Sequence, residues 1–290
     1  MYGEDITHVV YHYPCYDGFT AAWVFWTLVG EHLEFVPGQY GEPMPDLPDD
    51  ARVVMVDVSW SRYEMIALNE RVAELLVLDH HKTAEANLEG LDFAVFDMDR
   101  SGCGLAWDTF TGDPDRCARP AIVNHVEDRD LWRFKIDGTK EVHAYLSSLE
   151  LGDFKAWEET ADLLEDRPEK IYEEGKAILR YQERRYVEVG QLMHTVRLGD
   201  VVMPAANIGL AQFKSGGLHR FLLDNPEHEF AGAYNRQPDG RWLWSLRARE
   251  GSDCSDIAQA YGGGGHAGAS GFVTTEDPVV VRAARPVSKA

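Results

Sequence analysis

Positive charge is scarce in this chain. Its 290 residues carry 28 Lys+Arg against 49 Asp+Glu, a formal net charge of −21, and only 8 of the cations are lysine. That balance argues against a protein that grips duplex DNA through a broad basic face. Cysteine is scarce as well. Cys15, Cys103, Cys117 and Cys254 form no C-x-x-C pair and no small disulfide framework, so a reducing, cytoplasmic setting is expected. Long apolar runs are missing. No window approaches the roughly 18 uninterrupted apolar residues of a membrane span, and the opening MYGEDITHVV lacks the basic start and apolar core of a signal peptide. No membrane partner is expected. What remains is an ordinary globular composition, 44 % hydrophobic and 27 % charged, of a length that suits two domains.

Short apolar runs dominate the first third: 7–12, 32–37, 52–59, 73–81 and 93–99. Runs of this length, rich in Val, Leu and Phe, suit strands buried on both faces of a parallel sheet. Helix-like stretches, 19–30 and 61–74, lie between them, the second with Ser61 and Glu64 spaced as in a capping box. This alternation predicts an α/β domain over 1–155 with its working groups at the carboxyl ends of strands. Residues 118–150 read as helical. A charged helical linker is expected over 156–197, with Pro168 as a restart. Strand-like runs return after Gly199, and Pro238-Asp239-Gly240 signals a hairpin turn, so a smaller α/β domain is placed at 198–290. Trp23, Trp26, Trp107 and Trp157 are expected in the core or at a domain interface.

Five polar clusters interrupt this pattern. His12, Cys15 and Asp17 end the first apolar run, and all three residue types ligate metals; a turn at Asp17-Gly18 is the plainer reading. Gly18 is expected to let the backbone turn tightly. Asp57 ends the run VVMVD, either as a ligand at the end of a strand or as a cap for the helix after it. Asp79-His80-His81 ends AELLVL. Two imidazoles and a carboxylate are costly to bury without a cation or hydrogen-bond partners, which favours a metal or phosphate site. Glu127-Asp128-Arg129-Asp130 is flanked by apolar residues, which suggests partial enclosure rather than a solvated face. Gly262 to Gly265 and His266, between a helical stretch and an apolar run, read as an anion-binding loop with exposed amides.

Taken in order, the Asp-Gly site, the strand-end Asp, Asp-His-His, a later Asp and the terminal GGGGH-x-x-A-x-G resemble the DHH phosphoesterase superfamily with its DHH-associated C-terminal domain, over residues 8 to 273. The resemblance implies a two-domain α/β phosphoesterase with two divalent cations, Mn²⁺ foremost and Mg²⁺, Fe²⁺ or Zn²⁺ as alternatives. It implies Asp57 as the bridging carboxylate. Asp17, His80 and Asp128 would complete one metal site, with Asp130 a rival to Asp128; His12 and Cys15 would complete the other. It implies His81 near the substrate phosphate, and Asp57, Asp79 and His81 as catalytic residues. Gly263, Gly264, Gly265 and His266 would clamp a nucleotide phosphate, with Arg247 and Asn207 as further substrate contacts. Many members carry an Asp two residues before the Asp-Gly, where this chain has Cys15. A thiolate there would favour softer cations than Mg²⁺; the other reading makes Cys15 a bystander.

The implied activity is nano-RNase-like hydrolysis of phosphodiester bonds in short oligonucleotides or linear dinucleotides, by an exonuclease or phosphodiesterase route. A phosphatase for 3′-phosphoadenosine 5′-phosphate or a cyclic nucleotide phosphodiesterase is the alternative enzyme. A catalytically inactive nucleotide-binding module is the alternative from another class. Partners are then a short oligonucleotide or small nucleotide, with a homodimer as a further expectation.

Overall fold

The computed structural model describes residues 5–112 and 119–282. Cys117 lies outside them. Two compact units divide between Leu179 and Arg180.

The first unit is built on a parallel sheet of β1 (His8–His12), β2 (Glu34–Gly38), β3 (Arg52–Val56), β4 (Glu74–Asp79) and β5 (Ala94–Phe96), in the order β2-β1-β3-β4-β5. Successive side chains of a strand point to opposite faces. Here both faces are covered: Val54 and Val56 enter one core with Val9, Phe19 and Trp157, while Val53 and Met55 enter another with Val10, Met65 and Leu88. This double burial is the reason the strands read as unbroken apolar runs. The helices are α1 (Tyr16–Leu28), α2 (Arg62–Arg71), α3 (Lys82–Leu88), α4 (Gly102–Thr111), α5 (Ala121–Asp130), α6 (Thr139–Leu146), α7 (Phe154–Asp166) and α8 (Pro168–Leu192). Ser61 caps α2 in a full capping box with Glu64. Trp23, Trp107 and Trp157 are buried, and Trp26 packs against the same core. The strand order reverses direction between β1 and β3, the position where open parallel sheets leave a crevice at their carboxyl ends.

The second unit holds a mixed sheet of β6 (His194–Leu198), β7 (Val201–Asn207), β8 (Phe230–Arg236), β9 (Trp242–Ala248), β10 (Gly264–His266), β11 (Ala269–Thr274) and β12 (Val279–Arg282). Their order is β10-β11-β9-β8-β7-β6-β12, with β7 and β8 parallel and the remaining pairs antiparallel. The parallel pair needs a crossover, supplied by α9 (Ala211–Asp224). The short α10 (Ser255–Ala260) precedes β10. The β8–β9 turn falls at the expected Asp239-Gly240, where Gly240 has φ +89°.

The stretch expected as a linker, 156–197, is distributed differently. Trp157 on α7 is wholly buried in the first unit's core, as is Ile171 near the start of α8, while Val189 near its end packs in a cluster with Leu218 and Leu222. The division between units falls inside α8. Among the described residues no helix is long and apolar enough to cross a membrane.

Candidate metal centre at the strand ends

Five elements of the first unit deliver side chains to one place. His12 ends β1, Cys15 caps α1 and Asp17 lies in its first turn, Asp57 follows β3, Asp79 ends β4, and His80 and His81 lead into α3. Asp130 arrives from the last turn of α5. His12 Nδ1 lies 3.2 Å from one oxygen of Asp57, and His80 Nε2 lies 3.2 Å from the other. His80 Nε2 is also 3.5 Å from Asp17 and 3.5 Å from Asp130. Three sets result, each with ligand atoms within 4.8 Å of one another: His12, Cys15 and Asp57; Asp17, His80 and Asp130; Asp57, Asp79 and His81. Asp57 belongs to two of them.

Backbone detail makes this convergence possible. A Cβ on Gly18 would lie 2.3 Å from the His12 carbonyl oxygen and 2.7 Å from its Cβ. Gly18 therefore serves the close approach of α1 to the end of β1 rather than the tight turn expected of it. Asp57 has φ +60°, in the left-handed region that Asp tolerates better than most residues and that clusters at functional sites. The start of α4 packs directly beneath: Gly102 N–H and Cys103 N–H donate to the Asp17 carboxylate at 2.5 and 3.0 Å. That helix end is held in turn by Glu127, which accepts from Ser101 N–H at 3.2 Å and from Arg119 at 2.9 Å.

The electrostatics follow from crowding of buried carboxylates. Burial, then Asp57 and Asp130, push Asp17 up to about 7. Burial would raise Asp57 too, but hydrogen bonds with His12 and His80 outweigh it and hold it well below the ordinary carboxylate range. Burial would lower His80, yet Asp57, Asp130 and Asp17 bring it to about 10. Burial raises the Cys15 thiol well above its usual value, and Asp57, Asp130 and Asp17 add to the effect. Asp130 Oδ2 is buried without a hydrogen-bond partner. A buried carboxylate oxygen whose approach to His80 Nε2, at 3.5 Å, falls short of a hydrogen bond, and an acid driven toward protonation by its neighbours, both fit a donor set built for cations. The mixture of carboxylate, imidazole and thiol suits Mn²⁺, Fe²⁺ or Zn²⁺ as well as Mg²⁺.

Asp79 is an organiser. Its carboxylate accepts from the His80 and His81 N–H groups at 2.7 and 3.2 Å, from Ser59 at 3.3 Å and from Tyr40 at 3.2 Å. His81 Nδ1 is 2.7 Å from it, so this nitrogen carries the proton and the ring orientation is fixed. Asp79 is lowered: burial acts upward, and His81 overcomes it.

Asp128 is not part of the cluster. Its carboxylate accepts from Lys135 N–H at 2.8 Å, Ile136 N–H at 3.1 Å and the Thr139 hydroxyl at 2.7 Å. The helical step of two residues turns Asp128 to the opposite side of α5, and Asp130 is the carboxylate that meets Asp17 and His80.

In the second unit the glycine run departs from the expected loop. Gly264–His266 form β10, paired with β11, and the Gly262 and Gly263 N–H groups donate to the Gln259 and Ala258 carbonyls of α10. A Cβ on Gly263 would lie 2.1 Å from the Gly271 carbonyl oxygen, so close strand pairing accounts for this glycine. Arg247 on β9 stands opposite Ala269, which stands opposite His266, and its Nε donates to Ser215 at 3.1 Å. Asn207 is exposed at the end of β7, two strands from Arg247 and three residues along, ~10 Å in each direction. The structure does not bring these two together. Lys214, 6 % exposed, donates to Asn235 at 2.6 Å; burial and Arg247 lower its pKa.

Sequence reasoning missed Tyr40, which sits in an irregular loop after β2 without a motif around it. It also missed the α4 start, whose only trace is Ser101-Gly-Cys-Gly104 after an apolar run.

No family model matches the chain. It is 28 % identical over 297 residues to the uncharacterized protein R106 of Acanthamoeba polyphaga mimivirus, covering 93 % of this chain and 68 % of that protein. Two solved structures align at low identity. An uncharacterized protein from Helicobacter pylori G27 has a TM-score of 0.40 at 15 % identity, over 92 % of each chain. PggH, a pGpG-specific phosphodiesterase from Vibrio cholerae, has a TM-score of 0.48 at 14 % identity, over 92 % of this chain and 93 % of its own. At these values the functional reading rests on the chain's own residues.

Proposed function

We propose that the chain is a metal-dependent phosphoesterase of the DHH type that hydrolyses phosphodiester bonds of short oligonucleotides or linear dinucleotides. The observation that carries this reading is Asp57: one oxygen lies 3.2 Å from His12 of the His12, Cys15 and Asp57 set, and the other lies 3.2 Å from His80 of the Asp17, His80 and Asp130 set. A carboxylate shared in this way suits a pair of divalent cations. His12, Cys15 and Asp57 would hold one, and Asp17, His80, Asp130 and Asp57 the other, with Asp130 in the role the sequence assigned to Asp128. Bound cations would supply a water of lowered pKa and neutralise charge on the phosphoryl group.

The chain's own groups do the rest. Asp79 and Tyr40 fix the His81 ring beside Asp57, where an imidazole would polarise a phosphate oxygen or protonate the leaving group. The α4 amides fix Asp17, so the carboxylate is oriented before any ligand arrives. Arg247 and His266 of the second unit are the proposed contacts for the nucleotide phosphate, as cationic and hydrogen-bonding groups on β9 and β10, the two strands that flank β11.

The test is a Mn²⁺-supplemented assay on a panel of pApA, pGpG, 3′-phosphoadenosine 5′-phosphate, cyclic AMP and short RNA and DNA. Release of mononucleotides from the linear dinucleotides is expected, and Asp57→Asn should reduce it to the uncatalysed background. Full turnover by Asp57→Asn, or a purified protein that takes up no divalent ion, overturns the reading.

A further inference from the structure

The segment that follows Asp130 is unusual. Trp132 and Phe134 both have left-handed backbones, φ +56° and +48°. Bulky residues are disfavoured in that region and persist only where their surroundings enforce them. Asp128 supplies the enforcement. Its carbonyl oxygen accepts from Arg133 N–H at 2.8 Å and Phe134 N–H at 3.3 Å, and its carboxylate takes the next two N–H groups and the Thr139 hydroxyl. The strained turn is thus built in rather than incidental.

What the turn presents is a pair of rings. Trp132 and Phe134 meet edge to face, 5.0 Å between centroids at 79°. The Arg129 guanidinium lies over the Trp132 ring at 5.2 Å, and Lys140 lies over Phe134 at 5.3 Å. Trp132 is 38 % exposed, whereas Trp23, Trp60, Trp107 and Trp157 of the same unit are buried. Its Cα is within ~7 Å of that of Asp130, the reach of two residues.

We propose that Trp132, braced by Phe134 and Arg129, is a stacking platform for a nucleobase of the substrate. An exposed indole beside cations, two residues from a metal ligand, matches a ligand with a flat π face attached to a phosphate. Stacking of this kind tolerates any base, because each has such a face. The inference rests on the phosphoesterase reading for the identity of the ligand.

Calorimetric titration with a phosphorothioate-linked dinucleotide and its abasic counterpart tests it, on the full chain with Mn²⁺. Trp132→Ala should weaken the base-bearing ligand by about tenfold or more and the abasic one by no more than about twofold. Trp132→Phe should retain most of the affinity, because it keeps a ring. Equal weakening of both ligands would assign Trp132 to holding the Asp130 turn, and unchanged affinity would assign the ring to some other contact; either overturns the platform. Wild-type protein that binds neither ligand overturns it as well. Base-dependent, Trp132-dependent binding without hydrolysis would keep the platform and sink the phosphoesterase reading instead.

Discussion

Asp128, 5 % exposed, shows how a carboxylate two positions from a candidate ligand takes a different role. Burial by itself would raise its pKa; the Lys135 and Ile136 N–H groups and the Thr139 hydroxyl outweigh burial and hold it below the ordinary value. A carboxyl lowered in the folded state contributes stability above its unfolded pKa of about 3.9, and that contribution is lost as pH falls through the folded value. Asp128→Asn should cost about 1–3 kcal/mol at pH 7 and less in acid. Urea melts of both proteins at neutral and acid pH check this; a difference that does not shrink on acidification would count against an ionised Asp128. Asp130→Asn should behave oppositely. It removes a charge from a crowded cluster, so stability is expected to hold or rise, while Mn²⁺ affinity falls in a direct titration.

At the scale of elements, the site depends on how closely α4 approaches the strand ends. A Cβ on Gly102 would meet Asp57 Cβ at 2.7 Å and Asp17 Oδ2 at 2.9 Å. Gly102→Ala must displace one of them. Shifts near 1 Å in a catalytic constellation cost about a hundredfold, so this variant should keep its circular dichroism spectrum and lose most of its Mn²⁺ affinity and turnover. Wild-type affinity in Gly102→Ala would show that α4 does not set the geometry. The strands themselves were legible, because double burial writes them as continuous apolar runs and their polar ends then stand out; His12, Asp57 and Asp79-His80-His81 were found that way. The choice between Asp128 and Asp130 was not, since a two-residue step on a helix changes the face but leaves no trace in composition. Of the glycine run, Gly262 and Gly263 lie in the connection before β10 while Gly264 and Gly265 pair with β11, a division invisible in sequence because close pairing of backbones demands glycine as firmly as an anion does. Tyr40 reaches Asp79 across 39 positions, a contact fixed only when β2, β1, β3 and β4 have assembled.

For the whole molecule, the net charge of −21 would shape which substrates reach the proposed phosphoesterase site. Of the 25 Asp and 24 Glu, the cluster at the strand ends uses, among the described residues, Asp17, Asp57, Asp79 and Asp130, so cations bound there would leave most of the negative charge in place. Long polyanions should be repelled and short ones should reach the site. The Debye length falls from ~30 Å at 0.01 M salt to ~8 Å at 0.15 M. The ratio of turnover on a pentanucleotide to that on a 30-mer of the same composition is therefore expected to drop as salt is added. A ratio indifferent to salt would mean that length selection, if present, is steric.

The left-handed backbone at Asp57 also governs how the site can be probed and how it can drift. At φ +60° an alanine is penalised by its Cβ before any chemistry is lost, whereas Asn accepts the same conformation. Replacement by alanine therefore mixes two defects, and replacement by asparagine isolates the charge. The same filter acts on inherited change: the backbone admits little at this position beyond Asp, Asn and Gly, so a descendant that lost this carboxylate would be expected to carry Asn or Gly here long before any apolar residue.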